Sequence, residues 1–222
     1  MNNEKDKKSN PELLLALHSS TETFGVASVD CADLTNSRKS AVFPIGRNLS
    51  NMIFTCIEEV LPSKYWKNLR RLAVATGPGG FTGTRLSVVI ARTLSERLKC
   101  PLDGISSFEL MASRMIDSLK ESEKRNPFWI VKEVPRRGTI GGQYQVKQLS
   151  NMPNKFIIKE LKKPHLIKNK LKDCSILIAN EDVKSDINHL LEICQIRHSK
   201  NHESRWEEVL PIYPTSPIDN IE

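Results

Sequence analysis

Aromatic residues are scarce, 6% of the 222 positions, and no stretch approaches the ~18 consecutive apolar residues of a membrane-spanning helix. After the polar tail Met1–Asn10, the first apolar run stops at Leu17, a pattern that predicts a soluble, unexported and therefore cytoplasmic chain. Cysteine is sparse too. The five, at 31, 56, 100, 174 and 194, are odd in number and never in C-x-x-C spacing, so they read as reduced thiols, neither a disulfide framework nor a zinc site. Histidine forms no ligand cluster: His165, His189, His198 and His202 stand apart from the best-organised half of the chain, and the i, i+4 pair His198/His202 sits in a polar run without a helical stripe. No G-x-S-x-G is present, and Cys56 and Cys100 have no evident histidine partner, which removes the usual hydrolase arrangements. A short-period repeat is absent as well, arguing against a solenoid.

Charge is present and uneven. The chain has 33 basic and 26 acidic residues, net +7, yet residues 120–172 alone hold 14 basic and four acidic side chains. A basic half beside a mildly acidic one suits a surface that meets phosphate. The same lysines equally suit a solvated, variable domain, and the sequence leaves both open.

The most distinctive stretch is 71–109. Leu72-Ala73-Val74-Ala75 reads as a buried strand, Gly77-Pro78-Gly79-Gly80-Phe81-Thr82-Gly83 as a specialised turn, residues 83–98 as a helix and Cys100–Ile105 as a second strand. Four glycines in seven positions either cradle an anion with free N–H groups or make a tight turn that admits close packing. Walker A is excluded because Thr82 stands where its second glycine belongs and no lysine follows before Lys99; the dinucleotide fingerprint fails because the third glycine comes one residue late, at Gly83. Ser19 and Thr21 are candidates to face the turn, with Gly77, Gly79 and Gly80 offering the backbone. Arg85 is either an ion-pairing interface residue or a nucleotide contact.

Around this unit the pattern predicts a hairpin of Leu13–Leu17 and Phe24–Val29, a short strand at 41–43, and a helix whose Leu49, Met52, Ile53, Cys56, Ile57, Val60 and Leu61 form a complete apolar stripe. In the helix over 83–98, Ser87, Ala91 and Ser95 repeat every fourth residue, a row small enough to let another helix come close. A third helix opens with the capping box Ser106-Ser107-Phe108-Glu109. After the charged segment 120–126, strands recur at 128–131, 143–149 and 156–161, separated by turns at 135–138 and 151–154, then a strand at 175–179 with a helix behind it carrying Val183, Ile187, Leu190, Leu191 and Cys194. The expected organisation is a polar tail over 1–12, a first sub-domain over 13–119, a linker over 120–126 and a reduced, basic second sub-domain over 127–222.

Gly77-Pro78-Gly79-Gly80-Phe81-Thr82-Gly83-Thr84-Arg85-Leu86, with Leu98-Lys99-Cys100-Pro101-Leu102 and Gly104-Ile105-Ser106-Ser107, closely resembles the TsaB family of bacterial tRNA threonylcarbamoyladenosine biosynthesis proteins. Leu14–Thr21, Arg136-Arg137-Gly138 and Leu210-Pro211-Ile212-Tyr213 resemble its outer motifs. The resemblance implies an α/β, actin-like ATPase fold of two sub-domains and a non-catalytic, scaffolding or allosteric role beside the catalytic paralogue TsaD and the ATPase TsaE. The complex would transfer a threonylcarbamoyl group to N6 of the adenosine next to the anticodon in tRNA. A self-sufficient actin-fold ATPase or phosphotransferase is the alternative, and a basic RNA-binding module acting alone a third. In this superfamily an acidic residue ends the first strand and organises the metal ion. Here His18 stands there, a departure from the family's usual Asp and a poor substitute for a hard cation's oxygen ligand, and a lone histidine at a strand end reads as a hydrogen-bonded structural residue. The helix that carries TsaD's histidine motif shows Asn48, Leu49, Asn51 and Met52 here. The resemblance therefore implies no catalytic residue and no metal or cofactor of the chain's own, ATP or ADP being held, if anywhere, at an interface of the complex. The apolar stripe and the small-residue row on consecutive helices predict a helical interface shared by a homodimer and the TsaD heterodimer, assigned to Leu49, Met52, Ile53, Cys56, Arg85, Ser87, Ala91 and Ser95, and the charge of 120–172 puts Arg136 and Arg137 toward tRNA.

Overall fold

The structure, a computed structural model, describes residues 10–20, 22–33, 38–149, 152–169, 171 and 174–214. Leu13–Ser19 (β1) and Phe24–Asp30 (β2) form the expected antiparallel hairpin, and Lys39–Phe43 (β3) pairs antiparallel to β2. Thr21 lies outside the described residues. Leu69–Ala75 (β4) and Leu102–Ile105 (β5) join in parallel, giving the order β3-β2-β1-β4-β5. Burial on both faces explains the unbroken apolar run of β1: Leu13, Leu15 and Leu17 point one way, Leu14 and Ala16 the other, and all are buried.

Leu49–Val60 (α1) and Phe81–Leu98 (α2) cover the first face, joining their buried stripe to Leu15, Leu17, Phe24 and Val74. The apolar stripe of α1 is as the sequence predicts. α2 starts two residues earlier than the pattern suggests, with Gly80 as N-cap. Ser107–Met115 (α3) is capped by Ser106, whose Oγ accepts from the Glu109 N–H at 3.4 Å.

Beyond the short helix Glu121–Lys124 (α4), a second sheet repeats the scheme of the first: Phe128–Val134 (β6), Gly138–Leu149 (β7), Met152–Leu166 (β8) and Ser175–Ile178 (β9). β6 and β7, then β7 and β8, are antiparallel, β9 lies parallel to β6, and the order is β8-β7-β6-β9. β7 and β8 are longer than the apolar pattern indicates. Alternating lysines and glutamines on their open face dilute the hydrophobic signal without interrupting the backbone ladder.

One packing relation departs from expectation. Val183–Ser199 (α5), read from sequence as lying behind β9, instead covers the other face of the first sheet, where Ile187, Leu190, Leu191 and Cys194 meet Leu14, Ala16, Ala27 and Val29. α3 sends Phe108, Met111 and Ala112 the opposite way, against Phe128, Ile130, Ile140 and Tyr144 of the second sheet. No helix among the described residues is long and apolar enough to cross a membrane.

Candidate functional site

The C-terminal ends of β1 and β4, where ligands gather in open α/β sheets, are largely filled by the chain itself. Gly77 has φ +94° and follows a buried strand, so glycine alone adopts this turn without strain. Gly83 stands where a Cβ would fall 2.3 Å from Ser19 Oγ, and a Cβ on Gly79 would meet the Ser19 carbonyl and Thr84 Oγ1, both at 3.0 Å. Ser19 thus faces the glycine-rich turn, as anticipated, but in packing contact. The Ile212 N–H donates to the Thr76 carbonyl at 2.8 Å and the Ser107 N–H to that of Gly77 at 2.8 Å, closing the turn from two further sides. Of the two readings of these glycines, the tight packing turn describes the geometry.

His18 is 2% exposed, and neither ring nitrogen has a hydrogen-bond partner among the described residues. The expectation of a hydrogen-bonded structural histidine is therefore corrected. The ring follows Leu14 and Ala16 in alternation, toward α5, and its strand partner is Gly25, over which Val183 and Ile187 pack closely. Burial drives its pKa down to about 4, against the attraction of Glu181, with Arg114 reinforcing the fall. A neutral imidazole without a carboxylate neighbour in contact is no magnesium ligand set. The nearby charges are already committed: Arg114 bonds Asp186 at 3.0 Å and the Asn180 carbonyl, and Glu181 takes Lys132 at 2.6 Å. The residues present do not fit the metal-nucleotide that the fold class implies. No group of three or more His, Cys, Asp or Glu among the described residues is placed to hold a metal ion.

Three of the thiols are buried in the core. Burial raises Cys56 and Cys194 and pushes Cys100 up to about 11, keeping each protonated at neutral pH. His198 approaches Glu12 at 3.8 Å while His202 Nδ1 meets Ser204 Oγ at 3.2 Å, so the i, i+4 pair serves different neighbours.

The proposed helical interface needs the largest correction. Leu49, Ile53 and Cys56 are buried in the core, as are Ser87, Ala91 and Ser95. Ser87 Oγ bonds the Gly83 carbonyl at 3.0 Å and Ser95 Oγ that of Cys100. Small side chains do permit close approach here, but it is the chain's own sheet that approaches. Of the assigned residues, only Met52, 39% exposed, and the half-buried Arg85 reach the surface. The outward ridges carry others, notably Phe54 on α1 and Phe81 and Val89 on α2, the last 57% exposed.

Arg85 is neither an ion pair nor free. Its guanidinium lies 3.5 Å from the centre of the Phe81 ring and 4.6 Å from that of Tyr213, and Nε donates to Tyr213 Oη at 2.8 Å. One heptad along α2, Arg92 sits 5.3 Å over Trp206. The segment 202–213 therefore runs antiparallel along α2 as a strap, with cation–π contacts at both ends. Its beginning is fixed below by a buried network: Arg71 bonds Asp103 at 2.7 Å, the His202 carbonyl at 2.7 Å and Ser204 at 2.9 Å, while Arg197 reaches Asp103 at 3.0 Å. Burial alone would raise Asp103, but the bonds from Arg71 and Ser204 and the Arg197 charge hold it below the usual carboxylate range. Composition gave no hint of the strap; the paired spacing of Arg85/Arg92 and Trp206/Tyr213 is its only trace. Arg136 and Arg137 lie on the exposed β6–β7 turn, Arg136 with φ +65°.

The two sheets, the first antiparallel then parallel in the order β3-β2-β1-β4-β5 and the second a four-stranded sheet of similar scheme, give the chain an actin-like α/β fold. The profile of TsaD, described as tRNA N6-adenosine threonylcarbamoyltransferase, matches residues 42–131. The tRNA threonylcarbamoyladenosine biosynthesis protein TsaB of Buchnera aphidicola (subsp. Schizaphis graminum) is 30% identical over 102 residues, 43% of this chain and 49% of that protein. The protein of the same name from Bacillus subtilis is 40% identical over 47 residues, 21% of this chain and 20% of the relative. The chain thus spans about half the length, or less, of these first curated relatives. Among solved structures, YeaZ from Pseudomonas aeruginosa superposes with a TM-score of 0.62 at 16% identity, covering 91% of this chain and 99% of that one. Together the matches show similarity to TsaB proteins and, over residues 42–131, to the TsaD family.

Proposed function

We propose that the chain takes part in tRNA threonylcarbamoyladenosine biosynthesis as a non-catalytic, scaffolding subunit, supporting TsaD while TsaE supplies ATP hydrolysis. The observation that carries this reading is His18, a buried imidazole uncharged above about pH 4 at the strand end where the fold class needs a carboxylate. The glycine-rich turn is packed by Ser19, Thr84 and Ile212, which favours a structural over a phosphate-clamping role for it. The chain's contribution is surface: the outward ridges of α1 and α2, through Met52, Phe81 and Val89, meet the equivalent helices of a second copy or of TsaD, one excluding the other. The basic second sheet, with Arg136 and Arg137, faces tRNA once the complex forms.

The test is reconstitution. Purified alone, the chain is expected to give neither ATP turnover nor threonylcarbamoyl transfer; transfer should appear when TsaD, TsaE, a threonylcarbamoyl-adenylate source and tRNA are added, and fall away when this chain is omitted. Magnesium-dependent ATP hydrolysis by the single protein, abolished by Gly79→Asp, would instead establish the self-sufficient enzyme.

A further inference from the structure

β6 pairs with β7 only as far as Phe128 opposite Tyr144, whereas β8 follows β7 to Leu149. Past Tyr144 the two strands therefore continue as a ribbon beyond the end of β6. Side chains alternate between its faces. Tyr144, Val146 and Ile158 turn inward and join the cluster of Phe108 and Met111 from α3. That puts Gln145, Lys147, Ile157 and Lys159 on the outer face, with Gln145 opposite Lys159 and Lys147 opposite Ile157. One step back along the same face Gln143 pairs with Lys162, whose ammonium lies 5.6 Å from the centre of the Trp129 ring.

The charge of this face has one sign. Lys147, Lys159 and Lys162 are exposed, and among the described residues none of the three takes part in a salt bridge. β7 and β8 together contain a single acidic residue, Glu160, and it stands opposite Tyr144 on the inner face. Diagonal neighbours on a sheet face are ~7–8 Å apart, so Lys147 and Lys159 hold like charges side by side, a repulsion that a polyanion relieves. Among the described side chains on the ribbon's outer face, Ile157 is the apolar one. A protein partner buries an apolar centre ringed by polar groups, and a single isoleucine does not supply that centre. A nucleic-acid backbone asks for cations and amide donors instead, and lysines interleaved with glutamines are what the register presents.

We propose that the outer face of the β7–β8 ribbon binds an RNA backbone, Lys147, Lys159 and Lys162 each facing a phosphate and Gln143 and Gln145 donating side-chain N–H bonds to phosphate or ribose oxygens between them. The choice of RNA among polyanions rests on the tRNA reading above. Arg136 and Arg137 lie at the other end of β7, about 30 Å from Lys147 at the rise of an extended strand. The two groups therefore touch separate stretches of a tRNA and lose their contacts independently.

The probe is fluorescently labelled tRNA, titrated against the full chain alone, for which a Kd on the order of 10⁻⁴ M is expected, and against the complex reconstituted with TsaD and TsaE. Lys147→Glu/Lys159→Glu should weaken binding about tenfold and lower the slope of log affinity against log salt by about two units, with an unchanged thermal midpoint. Lys184→Glu, at an exposed position on α5, should leave the affinity within about twofold. In the wild type, tRNA should shield Lys147 and Lys159 from acetylation, read by mass spectrometry, while Lys184 stays open. Affinity and slope unchanged in the double variant, or both lysines acetylated as fast with tRNA as without it, would overturn the proposal. So would their shielding by TsaD in the absence of tRNA, which would make the face a protein interface. The outcome is separable from that of reconstitution: if transfer proceeds without the chain while charge reversal still weakens the isolated chain's hold on tRNA, the pathway reading falls and the RNA surface stands.

Discussion

His18, buried, and Glu109, half-buried, are titratable groups whose effects on stability run in opposite directions. The folded pKa of His18, about 4, lies below its ordinary 6.5, so between these values the unfolded chain binds a proton that the native chain refuses. Stability from this residue is complete above about pH 6.5 and is lost as the pH falls toward 4. Glu109, raised to about 7 from 4.5, holds a proton in the native state that the unfolded chain has released, so its contribution is complete below about pH 4.5 and is lost as the pH rises through 7. Across the shared window the slopes oppose each other, and the wild type is expected to show a flat profile. Glu109→Gln should leave stability rising with pH and raise it at pH ~8 by on the order of 1–3 kcal/mol; His18→Gln should leave it falling. Denaturant melts at a series of pH values distinguish the outcomes, and parallel profiles for all three proteins would contradict the assignment. A second expectation at this scale concerns Gly83. Alanine there gains helix propensity of roughly 1 kcal/mol, but its Cβ would fall 2.3 Å from Ser19 Oγ, and overpacking of this kind typically costs ~1–3 kcal/mol. Gly83→Ala should destabilise on balance, and Ser19→Ala in the same chain should recover much of the loss in a double-mutant cycle.

At the scale of elements, periodicity proved a sound guide to what is buried and a poor one to what covers it. The stripe of α1 and the small-residue row of α2 are both enclosed, as their spacing demands, yet by the chain's own strands. The two situations leave the same trace in sequence, because a close-packed neighbour imposes the same side-chain sizes whether or not it belongs to the same chain. The N-cap at Ser106, the glycine-rich turn and the order of elements in the first half were legible because each depends on local chemistry, whereas the reciprocal bond expected from the Glu109 side chain did not form. The strap and the Arg71–Asp103 network were not, since they join residues 32 to 133 positions apart through a few isolated contacts. Ala91→Trp, which a surface reading would make an interface probe, is accordingly expected to unfold or strongly destabilise the protein, whereas Val89→Arg should leave its thermal midpoint within a few degrees and abolish pairing with TsaD in a pull-down. For the strap, Trp206→Ala with Tyr213→Ala removes the aromatic contacts that the strap makes with Arg92 and Arg85 while leaving Arg85 over Phe81, each such contact contributing ~0.5–2 kcal/mol. Amide exchange over residues 76–85 should accelerate several-fold while that of β1 stays slow. Unchanged protection would mean that Ile212 alone holds the turn.

For the whole molecule, the concentration of basic residues over 120–172 was visible in composition, and the return of strands after residue 126 was visible in the apolar pattern. Missing from the sequence was the traffic of helices between the two sheets: α5 follows β9 in the chain but lies on the other sheet, and a buried stripe carries no address. The basic half makes a prediction of its own. If Arg136 and Arg137 contact tRNA phosphates in the assembled complex, replacing both with alanine should lower the slope of log affinity against log salt by about one unit per lost contact, uniformly across tRNA sequences. An unchanged slope would assign them to the β6–β7 turn alone.

The exchange of α3 and α5 between the two sheets also governs how the protein comes apart. Residues 120–126 resemble a hinge, but cutting there would strip the first sheet of the layer formed by Ile187, Leu190, Leu191 and Cys194, and the second of Phe108, Met111 and Ala112. Neither fragment keeps a closed core. Heat should therefore melt the chain in a single cooperative transition, with calorimetric and van't Hoff enthalpies in agreement, and separately expressed halves should be insoluble alone yet recover native structure when refolded together.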